Sequence, residues 1–324
     1  MNYVGFIHNN LSNNELYGGK GSKLITLANS GIKVPPGFIL TTKSYKSFIE
    51  ESKFRDRILL TFSHVYTKKD VLHLSKTITD YILNSDIPKT ITSELKKVYN
   101  KFNKDFGKET SFAVRSSANI EDSDQFSFAG QAESFLNNLN FQDILFSIKK
   151  CWASLFSPQA LLYILHMRKN GKELSLLDLE IAVIIQKMIL AECAGVLFTA
   201  NVMNNNLNQM MINSTWGLGD VITSNTVNPD LIIIDKTDGL IIDKIIGEKE
   251  KLSIANPSRS STQLIEMDKD FRHKCSLNSN NIKKLHLLGL QLEKILKTPQ
   301  DIEWAIQNGE VYILQSRSIT TLKK

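Results

Sequence analysis

Cysteine is scarce in this chain: only Cys151, Cys193 and Cys275 occur in 324 residues, with no CxxC pair. That scarcity excludes a disulfide-stapled fold and a cysteine zinc cluster, and the odd, scattered set points to reduced, buried thiols. The six histidines (His8, His64, His73, His166, His273 and His286) show no HxxxH spacing and no acidic neighbour, so they fit ordinary surface or core roles. No GxSxG elbow offers a covalent nucleophile. Long apolar runs are missing too: 231–234 and 181–185 fall far short of the ~20 residues that span a bilayer. Residues 1–14 lack a basic stretch followed by an apolar one, so no signal peptide and no membrane are expected, and the expected setting is cytoplasmic.

What is present is enough apolar material for a large core, with 42% hydrophobic and 22% charged residues. Lys and Arg outnumber Asp and Glu by 39 to 33, a net +6 that a solvated lysine-rich surface explains, and no nucleic-acid partner is expected. Helical and extended signals alternate along the chain, giving an expected α+β class. Leu24, Leu27 and Ala28 keep helical spacing after a glycine turn at 18–21, with Gly31 as the stop. Residues 38–42 read as a strand, 44–103 as mostly helical, and 111–115 as a buried strand entering a long polar loop over 116–131 that carries Glu121, Asp122 and Asp124. Helices are expected over 141–156, 158–169 and 278–296. Strands are expected over 180–189, 195–199, 209–213, 230–235, 239–246, 301–306 and 311–317. The division expected is 1–180, an N-terminal lobe with the glycine-rich loop, and 181–324, a second lobe ending in a hairpin.

Three places combine residue types suited to phosphate chemistry. In Gly18-Gly19-Lys20-Gly21-Ser22, glycines let backbone N–H groups approach an anion, the following helix N-terminus adds partial positive charge, and Lys20 adds a full one. The Walker A pattern fails, because Asn14 stands where its first glycine belongs and Gly21 follows the lysine. Arg115 closes an apolar strand, where a guanidinium is costly unless it meets an anion, either a ligand or one of the acids that follow. In the terminal hairpin, Asp301, Glu303, Gln315 and Arg317 interrupt apolar strands at period two. A two-residue turn at Asn308-Gly309 would pair Ala305 with Tyr312 and Glu303 with Leu314. A three-residue loop would instead set Glu303 opposite Gln315 and Asp301 opposite Arg317, with Ile302, Trp304, Ile306, Tyr312 and Leu314 on the other face. The second arrangement gathers a carboxylate and an amide oxygen suited to Mg²⁺ beside an arginine suited to phosphate.

Taken in order, these segments resemble the nucleotide-binding domain shared by phosphoenolpyruvate synthase, pyruvate phosphate dikinase and rifamycin phosphotransferase. The resemblance runs from about 18 to 320. It rests on Gly-Gly-Lys-Gly-Ser-Lys-Leu at 18–24, Val-Pro-Pro-Gly-Phe at 34–38, Val-Arg-Ser-Ser-Ala at 114–118 and Phe-Ala-Gly-Gln at 128–131. It continues with Gln-Lys-Met at 186–188, Ala-Gly-Val-Leu-Phe-Thr-Ala-Asn at 194–201, Trp-Gly-Leu-Gly at 216–219, Asp-Ile-Glu-Trp-Ala at 301–305 and Ile-Leu-Gln-Ser-Arg at 313–317.

The resemblance implies an ATP-grasp-like fold with ATP in a cleft between two lobes. It implies that Gly19, Lys20 and Arg115 hold phosphates, that the loop around Gly130 and Gln131 covers them, and that Gln186, Lys187, Met188 and Ile189 border adenine. Glu303 and Gln315 would bind Mg²⁺, Arg317 would meet the transferred phosphoryl group, and Asp301 would support them. The implied reaction splits ATP to AMP and passes the β-phosphoryl to a histidine on a separate carrier. No Ser-His-Ala or Cys-His-Ala segment occurs, so a separate histidine phosphocarrier or acceptor-binding subunit is the expected partner. The alternative is a stand-alone ATP-grasp kinase or ligase acting directly on a small molecule. This sequence departs from the family pattern at Ser318, Asp220, Asn213 and Val202.

Overall fold

The computed structural model describes residues 3–8, 11–51, 67–107, 110–119, 134–169 and 179–322. In chain order the elements are β1 (Val4–Phe6), α1 (Asn14–Asn29), β2 (Gly37–Leu40), α2 (Thr42–Glu51), α3 (Lys68–Asn84), α4 (Lys89–Phe106), β3 (Phe112–Ala118), β4 (Ser134–Asn138), α5 (Phe141–Ser154) and α6 (Pro158–Lys169). There follow β5 (Ile181–Lys187), β6 (Cys193–Phe198), β7 (Gln209–Trp216), α7 (Asp220–Thr223), β8 (Asp230–Asp235), β9 (Ile241–Ile245), β10 (Lys251–Ala255), β11 (Thr262–Glu266), α8 (Lys269–Arg272), α9 (Ser279–Leu296), β12 (Gln300–Gln307) and β13 (Glu310–Ser318). The mixture of helix and sheet agrees with the α+β expectation. Among the described residues, no helix is long and apolar enough to cross a membrane.

Two compact units emerge, Met1–Ile25 with Pro36–Met188, and Thr26–Pro35 with Ile189–Lys324. The division thus falls after Met188, where the sequence placed it at 180. The physical reason is that β5 hydrogen-bonds along both edges, to β2 and to β3, and is central to the first unit's sheet.

That first sheet has the order β1-β2-β5-β3-β4, with every neighbouring pair antiparallel. Alternate residues of its strands, including Phe38, Leu40, Phe112, Val114, Val183 and Ile185, join one apolar core with residues of α2 to α6. Trp152 of α5 anchors that core, its ring centroid 4.7 Å from that of Phe48. The intervening residues, Ile39, Arg115, Ser117, Ile184 and Gln186, occupy the opposite face by strand alternation. There α1 approaches, with the Gly21 N–H donating to Ser117 Oγ at 3.0 Å. β3 continues to Ala118, so the polar loop expected from 116 starts later, and residues 120–131 of it lie outside the described residues.

The second unit carries the order β13-β12-β6-β7-β8-β9, again antiparallel throughout. Ile302, Trp304 and Ile306 alternate onto one buried face together with Leu197, Met210 and Ile212. α9 covers that face: a Cβ added at its Gly289 would sit 3.1 Å from both Leu197 Cδ2 and Met210 Sδ. Asn278 caps α9 through its side chain, which accepts from Asn281 N–H at 2.8 Å. The β10–β11 hairpin, absent from the sequence expectation, forms a two-stranded sheet of its own.

One ionic feature of this unit contradicts the reading of lysines as surface groups. Lys249 is fully buried, and its Nζ donates to Asp230 Oδ1 and, at 2.8 Å, to the Gly247 carbonyl. Asp230 also accepts from Gly247 N–H at 3.1 Å and from Ser276 N–H and Oγ, each at 2.8 Å. Every carboxylate oxygen is thereby satisfied, which is what makes a charge pair tolerable in an apolar interior.

Candidate functional site

In the first unit, the glycine-rich segment is a break within α1. Gly18 has φ 67° and ψ 173°, left-handed backbone that interrupts the helix and lets a second helical stretch start at the following residues. A Cβ at Gly18 would collide with the carbonyl oxygen of Ser117, so the break and the end of β3 are pressed together. Ser117 locks that contact: its Oγ accepts from Gly21 N–H at 3.0 Å and donates to the Tyr17 carbonyl at 2.8 Å. Gly18→Ala is therefore expected to destabilise the protein by about 2–4 kcal/mol, combining strained φ with the clash. Urea unfolding with unchanged m-value checks it, and an unaltered midpoint would contradict the tight approach.

This packing gathers two of the sequence candidates. Lys20 Nζ donates to the Ser116 carbonyl at 3.4 Å, one residue beyond Arg115, and Arg115 is buried. An ammonium and a guanidinium thus stand beside the N-terminal turn of a helix, with Gly19 between the break and Lys20, an arrangement suited to phosphate oxygens. Gln186 shares the face of Arg115, because it pairs with Ala113. Lys187 does not, since alternation turns it to the opposite face, where its Nζ lies 5.3 Å from the Phe106 ring centroid. Met188 is buried and its N–H donates to the Ser111 carbonyl at 2.8 Å. Gly130 and Gln131 lie outside the described residues.

In the second unit, the terminal hairpin resolves the two open alternatives by using part of each. Asn308 (φ 53°) and Gly309 (φ 70°) form a two-residue turn, with Gln307 opposite Glu310 and Ala305 opposite Tyr312. A β-bulge then inserts Leu314, and beyond it Glu303 faces Gln315 and Asp301 faces Arg317. The four polar residues therefore share a face even though the turn is the short one. Tyr312 and Leu314 do not join the Ile302–Trp304–Ile306 face, as the three-residue loop required. They pack instead with Ala305, Ala194, Ala191 and Ile189, a small apolar floor beside Glu303. Ile189 is thus placed with this floor, which the sequence reading missed because nothing in the residue types around Leu314 signals a bulge.

Arg317 Nε donates to Asp301 Oδ2 at 2.7 Å, with Arg317 half exposed and Asp301 mostly buried. Burial pushes the Asp301 carboxyl above its usual range, opposed by the charge and hydrogen bond of Arg317 and reinforced by Glu303. Removing Arg317 leaves only the raising influences. Arg317→Ala is therefore expected to move the Asp301 midpoint further up, read from its side-chain carboxyl carbon in an NMR pH titration. A downward move would contradict the pairing. The sign for stability follows: a carboxyl raised in the folded state costs stability as pH rises through its folded midpoint, and costs more once Arg317 is gone.

Glu303 and Gln315 offer a carboxylate and an amide oxygen from adjacent strands, hard donors of the kind Mg²⁺ takes while keeping waters and substrate phosphates in its remaining positions. Among the described residues no group of three or more His, Cys, Asp or Glu could hold a metal by itself, so an ion here would need ligands from substrate and water.

Residues 14–324 match the family model described as pyruvate phosphate dikinase, AMP/ATP-binding domain. The chain is 35% identical over its whole length to a probable phosphoenolpyruvate synthase of Methanocaldococcus jannaschii, covering 27% of that protein. It is 36% identical over 97% of its length to phosphoenolpyruvate synthase of Pyrococcus furiosus, covering 43%. It is 37% identical over 95% of its length to rifampicin phosphotransferase of Bacillus subtilis, covering 34%. The chain therefore spans less than half the length of each of these relatives.

Proposed function

The chain belongs to the pyruvate phosphate dikinase AMP/ATP-binding domain family, and from that membership we propose that it binds Mg-ATP, cleaves it to AMP and passes the β-phosphoryl group to a histidine on a carrier, the γ-phosphoryl group going to water as phosphate. The observation that carries the proposal is the register of the terminal hairpin, which sets Glu303 opposite Gln315 and Asp301 opposite Arg317 on one face. Binding alone gives that foursome no use, whereas phosphoryl transfer consists mainly of positioning and charge neutralisation.

In this reading the fold is ATP-grasp-like. Lys20 and Arg115 hold phosphate oxygens, assisted by backbone N–H groups after Gly18. Gln186 and Met188 lie beside the base. Glu303 and Gln315 hold the Mg²⁺, which when bound neutralises charge on the phosphates. Arg317 donates to the oxygens of the phosphoryl group in transit, and Asp301 fixes the direction of the guanidinium through the 2.7 Å hydrogen bond. The acceptor histidine comes from a carrier domain or protein, since the relatives carry considerable chain beyond the part matched here.

The test is the identity of the nucleotide product, read by phosphorus NMR after incubation with Mg-ATP and an extract of the source cells. AMP with phosphohistidine on a carrier supports the reading. ADP as direct product overturns it in favour of a kinase or ligase that acts on a small molecule.

A further inference from the structure

The first unit holds an open cavity of about 370 Å³ that the phosphoryl-transfer reading leaves unused, lined mainly by α4, with Phe6 at the end of β1, His8, and Pro36 and Gly37 at the start of β2. Val98, Lys101, Phe102, Asp105 and Phe106 recur along α4 at the spacing of one helical face. The N-terminal part of that face is closed by the core, where Ile91 and Leu95 are fully buried. Its C-terminal part is not: Phe6 and Phe106 are each 41% exposed although they border an apolar hollow floored by Phe102 and Pro36. Large aromatic rings left half in water around a concavity of this size are the usual marks of a small-molecule site.

The charges give the chemistry of its occupant. Lys101 Nζ stands 6.0 Å from the Phe6 ring centroid and Lys187 Nζ 5.3 Å from that of Phe106, so an ammonium flanks each exposed ring. Among the described residues neither lysine closes an ion pair with a carboxylate, nor does Asp105 with a cation. His8 adds a further potential donor at the rim. We propose that this cavity binds an aromatic anion, its ring against Phe6, Phe102 and Phe106 and its acidic group against Lys101, with the Lys187 ammonium beside the Phe106 ring adding positive charge nearby. The ligand is distinct from ATP, because Lys187 and the α4 core occupy one face of the first sheet while Arg115 and Gln186 occupy the other. Strand β5 turns Lys187 to the face of the Phe106 ring and Gln186 to the other, so the two faces share one backbone.

The test uses 8-anilinonaphthalene-1-sulfonate, an aromatic anion whose fluorescence rises on transfer from water, titrated into the full chain. The expected result is saturable 1:1 binding, weakened at least tenfold by Phe106→Ser and at least fivefold by Lys101→Glu; the thermal midpoint stays unchanged in Lys101→Glu, whose side chain is exposed, and falls modestly in Phe106→Ser, whose ring packs 4.5 Å from that of Phe102, with both variants titrated well below melting. N-phenyl-1-naphthylamine, which lacks the sulfonate, is expected to bind at least fivefold more weakly. The exposed aliphatic edge at β9 is the competing surface, where Ile242 is 51% and Ile245 55% exposed. Ile242→Asp and Ile245→Asp are expected to leave binding intact. Loss of binding in these variants, its persistence in Phe106→Ser, or equal affinity for the neutral probe would each overturn the proposal.

Discussion

Glu303→Ala is expected to lower ATP-dependent phosphoryl transfer about 10³-fold while shifting the unfolding midpoint little. The size of the effect comes from what the side chain does chemically: it supplies the carboxylate of the cross-strand pair with Gln315. Preorganised charges in such sites are each worth about 10²–10³ in rate. The fold loses little, because Glu303 is partly exposed and faces away from the helix-covered core of Trp304 and Ile302. Glu303→Gln keeps one oxygen donor and the shape but removes the charge, so about a tenfold to hundredfold loss is expected. Steady-state turnover at saturating ATP over a range of Mg²⁺ distinguishes the roles. A metal ligand raises the Mg²⁺ requirement when weakened, and a variant that keeps full turnover at ordinary Mg²⁺ would remove Glu303 from the proposed mechanism.

Lys249→Met is expected to destabilise the protein by about 3–5 kcal/mol, the usual cost of stranding a buried charge. Asp230 would keep its hydrogen bonds from Gly247 and Ser276 but lose the cation that balances it in a site fully closed to water. Thermal unfolding should fall by roughly 10 °C, given about 2–4 °C per kcal/mol for a unit of this size. The double variant Asp230→Leu with Lys249→Met removes both charges together, and is expected to recover a large part of the loss. If the single variant melted with the parent protein, the pair would not be closed to water as described. The destabilisation belongs to the second unit and does not involve the residues proposed to touch phosphate, so KM for ATP below the melting range is expected to stay near that of the parent.

Much of the fold was legible because its signals are local. The alternation of Asp301, Glu303, Gln315 and Arg317 against apolar neighbours located the terminal hairpin and its polar residues, and the apolar run at 181–185 announced a strand buried on both sides. The limits of that reading are equally physical. Leu314 is an ordinary apolar residue in a strand, and only the pairing with Trp304 and Glu303 makes it the extra member of a bulge. β10 and β11 escaped notice because charged and polar residues such as Lys251, Ser253, Gln263 and Glu266 blur the alternation. Lys249 reads as one more surface lysine until Asp230, nineteen positions earlier, is seen to meet it. The close approach of Gly18 to Ser117 spans about a hundred positions, so the segment at 18–22 reads from sequence as a helix-opening turn and in the structure proves to be a break inside a helix.

The bulge in the terminal hairpin also bears on how this segment tolerates changes of length. Because side chains alternate, one residue gained or lost in a strand ordinarily exchanges everything beyond it between faces. Here Leu314 is one residue of slack. A chain shorter by one position between Glu310 and Leu314 restores an unbroken ladder from the turn and still brings Gln315 opposite Glu303 and Arg317 opposite Asp301. A chain longer by one position has no such reserve and must either bulge a second time or turn both polar pairs into the apolar core. Length variants of this hairpin that retain function are therefore expected to be shortened ones, and their cost falls on the apolar floor around Tyr312 and Leu314, with the polar pairs preserved.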